Sequence, residues 1–495
     1  MRVTVRSLLL LAAAALLVAC AGQPINTRLG AFDGTSGYRY RNLSSEGNAD
    51  DLLVILAFSG GGTRAAAFSF GVMEGLNETR YRVSNGERAL LEDVDVISSV
   101  SGGSFTAAYY GLFRNEFFKE FPGAFLHRDI EGDLLLRALS PVNWVRLASP
   151  TFDRIDMAAE LYDEVIFKGG KFSDLLNPPR KPFIILNATD MTLGHRFEFT
   201  QDQFDLLCSD LGPVKVANGV AASSAFPGLL SPLTLKNFSA DAAERCPYEA
   251  PGWLTDAAQK GNPMPRYVPA REALSYQGLE PGRPYIHLLD GGLADNIGLR
   301  GPYMALSSDA SPWSVLSRIN QGRVRRVVVI TANAKTKPSH DWDQRRRAPG
   351  VFSVLGFVAS GPMDNYSFDT VQMVRDFFTQ RNADAKSVNA CAARIKDACG
   401  ATGMDQLRVV DFFAVELSFD SVDDDALRGC LDNLPTSFAL PEKTVGLLRV
   451  VARSLLMGSK DFHAAMHTID PAWTPSSVTI DPALRAEVCA PSVSR

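Results

Sequence analysis

The sequence predicts an α/β fold, a mostly parallel central sheet flanked by helices, followed by a mixed α/β C-terminal extension. Three observations predict it. Short apolar blocks end in glycine or polar turn residues, helix-patterned stretches separate them, and these alternate from residue 52 to about residue 335. The 495 residues are 46% hydrophobic and 21% charged, which is enough apolar material for a large core and marks a globular chain.

In chain order, the leader comes first. Arg2 and Arg6 precede an apolar run from Leu8 to Ala19, the charge-then-hydrophobe order of a secretory signal. That run is short for a bilayer span. Its end, Leu17-Val18-Ala19-Cys20, resembles a bacterial lipobox, where cleavage leaves an acylated cysteine at the new amino terminus. Several acyl chains anchor stably where one does not. Residues 1–19 are therefore expected as a lipoprotein signal peptide, with an ordinary signal peptide and an incidental cysteine as the alternative. Ala21, in place of an acidic residue, directs the expectation to the outer membrane of a bacterial cell envelope, facing the periplasm. Residues 20–51 are rich in Gly, Asn and Ser without apolar periodicity, which predicts a lipid-anchored flexible tether.

Order is expected from Leu52. The block LLVILAFSG, 52–60, reads as a buried parallel strand, and the alanine-rich stretch 63–76 as the helix after it. A second strand, 94–100, runs directly into SGGSFTAAYYGLF, giving strand, sharp turn and helix. Further strand-like blocks lie at 182–190, 285–292 and 324–333. These bound a catalytic domain at 52–335. In the remainder, 336–495, helical patterns at 366–381 and 441–457 surround the strand-like DFFAVELSF, an extension expected to pack on that domain.

Three signals carry chemistry. Ser101, in Ser99-Val100-Ser101-Gly102-Gly103, lies on a strand-to-helix turn with small neighbours, the setting of a nucleophile elbow. An ordinary helix N-cap is the alternative role. Ser59-Gly60-Gly61-Gly62-Thr63-Arg64 follows the first strand, so successive N–H donors at a helix start can hold an oxyanion. A tight turn without a ligand is the alternative, and neither nucleotide-loop glycine pattern is present. Asp290-Gly291-Gly292 ends the block YIHLL and places a carboxylate at a strand terminus, either as a base or as a plain Asp-Gly turn.

Taken in this order, the triple glycine, the serine elbow and the Asp-Gly-Gly resemble the patatin-like phospholipase family over roughly residues 52–335. Asn187-Ala188-Thr189-Asp190 and Ala222-Ser223-Ser224-Ala225-Phe226-Pro227 look like family landmarks that shape the site. The resemblance implies that Ser101 is the nucleophile, Asp290 its base, and the amides around Gly60, Gly61, Gly62 and Gly102 the oxyanion hole. A carboxylate near 3.9 is a weak base at neutral pH, so burial is expected to raise Asp290. Ser99 and Ala65 stand where the family commonly has glycine.

A histidine triad is the competing arrangement. His287 is nearest in sequence to Asp290, but residues three apart on a strand face opposite sides. His127, His195, His340, His463 and His467 lie in unrelated contexts, and the last two lack the Glu of HExxH. The expected function is cleavage of acyl esters of membrane phospholipid or lysophospholipid through a Ser101–Asp290 dyad and an acyl-enzyme, with no cofactor or metal. An esterase or thioesterase on smaller acyl substrates, or a silent lipid- or partner-binding lipoprotein, are the alternatives.

The formal charge of −5 becomes −7 without Arg2 and Arg6, which argues against a nucleic-acid partner. Membrane contact is assigned to lipidated Cys20 and apolar surface. Six cysteines remain, an even number suited to disulfides in an oxidising compartment. Cys208 and Cys246 bracket one segment, whereas Cys391 and Cys399 on a continuous helix sit about 12 Å apart, too far to bridge.

Overall fold

The computed structural model describes residues 25–490, except 46–47, 85, 242–244, 260–266, 278–281, 309–310, 338–345, 347–350 and 401–407. The leader, Cys20 and His340 lie outside the described residues. Eight strands form the main sheet: β1 (Leu52–Phe58), β2 (Val94–Val100), β3 (Phe183–Asp190), β4 (Arg196–Glu198), β5 (Leu233–Lys236), β6 (Tyr285–Asp290), β7 (Arg326–Asn333) and β8 (Asp411–Ser418). Their order is β8-β7-β1-β2-β3-β6-β5, with β4 paired to β3. The five strands from β8 to β3 are parallel, and β4, β5 and β6 run antiparallel to their neighbours. All residues of β1, β2 and β3 are buried, as helices on both faces require, which explains their unbroken apolar runs.

One register places the site. Asn187 of β3 pairs with Val100 on one edge and Glu198 on the other, and its neighbour Ala188 pairs with Asp290 and Phe197. Since a residue pairs one partner on each edge, β2 and β6 lie end to end along one side of β3. Ser101, which follows Val100, thereby meets Asp290 across the gap between two strands.

The helices that matter are α1 (Gly62–Glu78), α2 (Gly102–Phe113), α3 (Ile130–Ala138), α4 (Pro141–Leu147), α5 (Arg154–Tyr162), α6 (Val216–Ser223), α7 (Val351–Cys399), α8 (Glu442–Gly458) and α9 (Lys460–Ile469). No described helix is long and apolar enough to cross a membrane. The C-terminal segment shares the domain's core. β8 extends the sheet beside β7, and α8 lies so close to α1 that a Cβ on Gly71 would stand 2.4 Å from the Arg449 carbonyl. The Arg449–Glu74 ion pair at 2.6 Å fixes the same contact. Cys208 bonds Cys246 and Cys430 bonds Cys489, while Cys391 is a free, exposed thiol on α7.

The tether reading is corrected from Ile25 onward. Tyr38 and Arg39 are 1% and 2% exposed. The Tyr38 hydroxyl accepts from the Ile184 amide at 2.7 Å, and Arg39 bonds Asp205 at 2.6 Å and Asp202 at 2.7 Å. Asn26 donates to the Lys236 carbonyl at 2.8 Å and to the Ser209 hydroxyl at 2.9 Å. A polar, glycine-rich stretch is held here by partners more than 140 residues away, so local composition misrepresents it.

Candidate active site

Ser101 has φ 48° and ψ −119°, a backbone region that side chains other than glycine rarely adopt. The β2-to-α2 turn holds it there from several sides. Its N–H donates to the Ser223 hydroxyl at 2.9 Å, which in turn donates to the Asn187 carbonyl at 2.6 Å. The next position tolerates no side chain, because a Cβ on Gly102 would lie 2.0 Å from the Gly62 carbonyl oxygen. The Ser101 side chain makes no helix-capping bond, which removes the N-cap alternative. Ser99, in place of the usual glycine, is accommodated because its hydroxyl donates to the Ile185 carbonyl at 3.1 Å and receives the Ser104 hydroxyl at 3.1 Å.

Asp290 is 4% exposed at the end of β6. Its main chain is fixed by the landmark segments: its N–H donates to the Ala225 carbonyl at 3.0 Å, and Thr189 donates to its carbonyl at 2.8 Å. The Gly291 N–H donates to the Ser223 carbonyl at 3.1 Å. The carboxylate accepts the Gly292 N–H at 2.8 Å, and the Ser101 side chain lies next to it. Burial pushes its pKa from 3.8 up to about 6, against the lowering effect of the Gly292 N–H and of the nearby Ser101 hydroxyl. His287 faces the other side of β6, exposed and bonded to Thr234 at 3.0 Å. Among the described residues no histidine bonds Ser101 or Asp290.

The glycine turn between β1 and α1 completes the arrangement and requires one correction. The Gly60 N–H donates to the Asn296 carbonyl at 3.0 Å, so Gly60 shapes the loop and offers no donor. The amides of Gly61, Gly62 and Gly102 stand at the starts of α1 and α2, where helical N–H groups lack intrahelical acceptors, and have no protein acceptor among the described residues. Gly61 and Gly62 have φ of 136° and 61°.

Three further residues support this loop, two of them, Ser437 and Asn296, without a local signal in the sequence. Ser437, from the C-terminal segment, accepts the Thr63 N–H at 2.8 Å and closes over Gly62. Asn296 holds Gly60. Arg64 is buried beside Gly61 and donates to the carbonyls of Ala334 at 2.9 Å and Leu434 at 2.8 Å, and to the Thr436 hydroxyl at 3.0 Å. Burial lowers its pKa to about 10, which still leaves a cation behind the glycine turn at neutral pH. Arg64 is visible in the motif, but its role depends on carbonyls 270 and 370 residues away.

Among the described residues there is no cluster of acidic, histidine or cysteine side chains able to hold a metal ion. The site brings together a serine in a strained backbone conformation, a buried carboxylate of raised pKa next to it, and amides without protein acceptors at two helix starts.

No curated protein sequence matches this chain significantly. Human GIVD cytosolic phospholipase A2 in complex with methyl gamma-linolenyl fluorophosphonate superposes with a TM-score of 0.38 at 11% identity, covering 84% of this chain and 60% of that one. A second structure of human GIVD cytosolic phospholipase A2 gives 0.34 at 13% identity, with 58% and 46% covered. VipD from Legionella pneumophila gives 0.25 at 12% identity, with 90% and 92% covered. This chain thus spans less than two thirds of the length of the phospholipase structures, and superpositions this loose carry no argument. The family model described as patatin-like phospholipase matches residues 56–303, half of the chain. The protein belongs to the patatin-like phospholipase family.

Proposed function

We propose that the protein is a lipid acyl hydrolase that cleaves phospholipid or lysophospholipid esters with Ser101 as nucleophile and Asp290 as its only base. The observation that supports this reading is a buried carboxylate, raised to about 6, next to the Ser101 side chain where two strands end on adjacent residues of β3. The Ser101 oxygen attacks the ester carbonyl carbon as its proton passes to Asp290. Negative charge then develops on the carbonyl oxygen, where the amides of Gly61, Gly62 and Gly102 receive it, with Arg64 adding positive potential. Collapse breaks the ester C–O bond, and the leaving alcohol takes the proton from Asp290. Water then attacks the acyl-enzyme, giving its proton to Asp290, and Ser101 leaves reprotonated with release of the fatty acid.

We place this chemistry at a bacterial envelope membrane through lipidated Cys20. Two paired disulfides fit an oxidising compartment. Because Asn26 is already bonded to the domain, the chain between it and Cys20 spans at most about 20 Å.

The test combines fluorophosphonate labelling with two substrates, phosphatidylcholine vesicles and a soluble short-chain ester. Native protein should gain one adduct on Ser101 and release fatty acid from vesicles, and Ser101→Ala should do neither. Equal turnover by both proteins overturns the mechanism. Turnover of the soluble ester alone assigns an esterase, and no adduct on folded protein assigns a silent binder.

A further inference from the structure

Helices α3 and α4 carry a large apolar surface that the fold does not use. Leu135, Leu136, Leu139, Val142, Trp144 and Val145 are 59% to 74% exposed within eleven residues. Apolar patches of this kind are uncommon on a solvated surface and mark contact with something else. Their position ties them to the candidate site. At one end Ile130 donates to the Phe438 carbonyl at 3.2 Å and Glu131 accepts the Phe438 N–H at 2.7 Å, next to the Ser437 that covers Gly62. At the other end α5 starts against the 226–231 loop, with Arg154 donating to the Gly228 carbonyl at 3.2 Å and Ile155 to the Ser231 hydroxyl at 3.0 Å. That loop leads back to Ala225, which holds Asp290, and carries the half-exposed Leu229.

We infer that the α3–α4 pair is the surface by which the enzyme enters a lipid bilayer beside its active site, an inference that rests on the hydrolase reading above. Three features commit the face to lipid. Its polar groups are already paired: the Trp144 indole donates to the Ala138 carbonyl at 2.8 Å, Asn143 donates to the Arg137 carbonyl at 2.8 Å, and Ser140 accepts two helix-start amides at 3.0 and 3.2 Å. Such self-satisfaction is what hydrocarbon demands and water does not. The cations are also paired within the protein, Arg137 with Glu164 and Arg146 with Glu160 at 2.9 Å, so the face carries little free charge. Finally, Asn26, near the first described residue, is bonded at this end of the sheet. Asn26 bonds Lys236, which pairs with Tyr285, about 17 Å beyond Asp290 along the strand direction. A lipid at Cys20 therefore holds this end, and the helix pair with it, toward the bilayer.

The experiment uses the full chain with phosphatidylcholine vesicles whose acyl chains are brominated or unbrominated. Brominated chains should quench native tryptophan emission, and Trp144→Phe should abolish that quenching while leaving the remaining tryptophans unchanged. Leu136→Glu with Val142→Glu should lower vesicle hydrolysis at least tenfold and leave turnover of a soluble short-chain ester within twofold. Absence of brominated-lipid quenching in native protein, or full vesicle hydrolysis by the double variant, overturns the inference. Self-association that the double variant relieves, without quenching, assigns the face to a second copy instead and also overturns it. Failure of the hydrolase reading shows separately, because quenching and its loss in Trp144→Phe do not depend on turnover, whereas Ser101→Ala reports on turnover alone.

Discussion

Helix α2 and the α3–α4 pair are separated by sixteen residues and are both apolar, yet their fates are opposite. In α2 every residue from Gly102 to Tyr110 is buried, and a single added carbon at Gly102 would collide with Gly62. In α3 and α4 only Ile130 is buried. The difference teaches that the core is already complete without Leu135 and Leu136 of α3, whose neighbour Leu134 alone among the three packs against it. Folding accounts for the apolar character of α2, whereas that of α3 and α4 calls for an external partner.

Substitutions should break this comparison in a graded way. Ser101→Ala carries the largest effect, a loss of at least about 10³-fold in turnover on any ester, since removing one member of a cooperating pair costs nearly as much as removing both. Gly102→Ala, one position on, should reduce soluble expression and activity together, because the elbow and the oxyanion loop must separate to admit a Cβ. Mass labelling of the soluble fraction checks this.

Asp290→Asn should lose activity by a similar factor to Ser101→Ala while gaining stability. The sign follows from linkage. A folded pKa near 6 lies above the unfolded value, so ionising Asp290 opposes folding, and that penalty grows as pH rises from about 4 to about 6. Above pH 6 it amounts to about 3 kcal/mol at most. The variant should therefore melt higher than native protein at pH 7.5 and equally at pH 4. In native protein the same ionisation makes turnover rise through pH 6 and level off above it. A rate that is flat from pH 5 to 8 would show that Asp290 is not the base.

Cys430→Ser should cost about 2–4 kcal/mol through the lost link to Cys489. Its Ser437-bearing neighbourhood lies near the oxyanion loop, so activity at low temperature should fall as well. The smallest effect belongs to Leu136→Glu with Val142→Glu, whose melting should stay within about 0.5 kcal/mol of native protein. A large destabilisation there would show that α3 and α4 do contribute to the core.

The strands were legible because burial on both faces imposes uninterrupted apolar runs, and β2 begins and ends where its composition says. That Ser101, Asp290 and the Gly61–Gly62 turn come together was legible because each sits among small residues at a strand end. What was hidden depended on distant partners. Nothing local tells that Gly60 spends its N–H on Asn296, or that Arg39 is buried against Asp202 and Asp205. The two aromatics Tyr38 and Tyr40, both packed on Phe183, were the one hint that this stretch is not a tether. The C-terminal segment carries no catalytic pattern because most of its contribution to the site, the carbonyls of Ser437 and Leu434, comes from backbone that any residue type could supply, the Thr436 hydroxyl being a side chain with no motif around it.

The end-to-end meeting of β2 and β6 along β3 has a practical consequence. Ser101 and Asp290 are neighbours only because two ladders, one parallel and one antiparallel, terminate on adjacent rungs. A one-residue slip of β6 would bring Leu289 to that rung and turn the carboxylate to the opposite face, with the sheet otherwise intact. Under the proposed mechanism, hydrolysis would report on strand alignment to a single residue, and a misassembled chain that still looks folded by its helix content would be silent toward lipid.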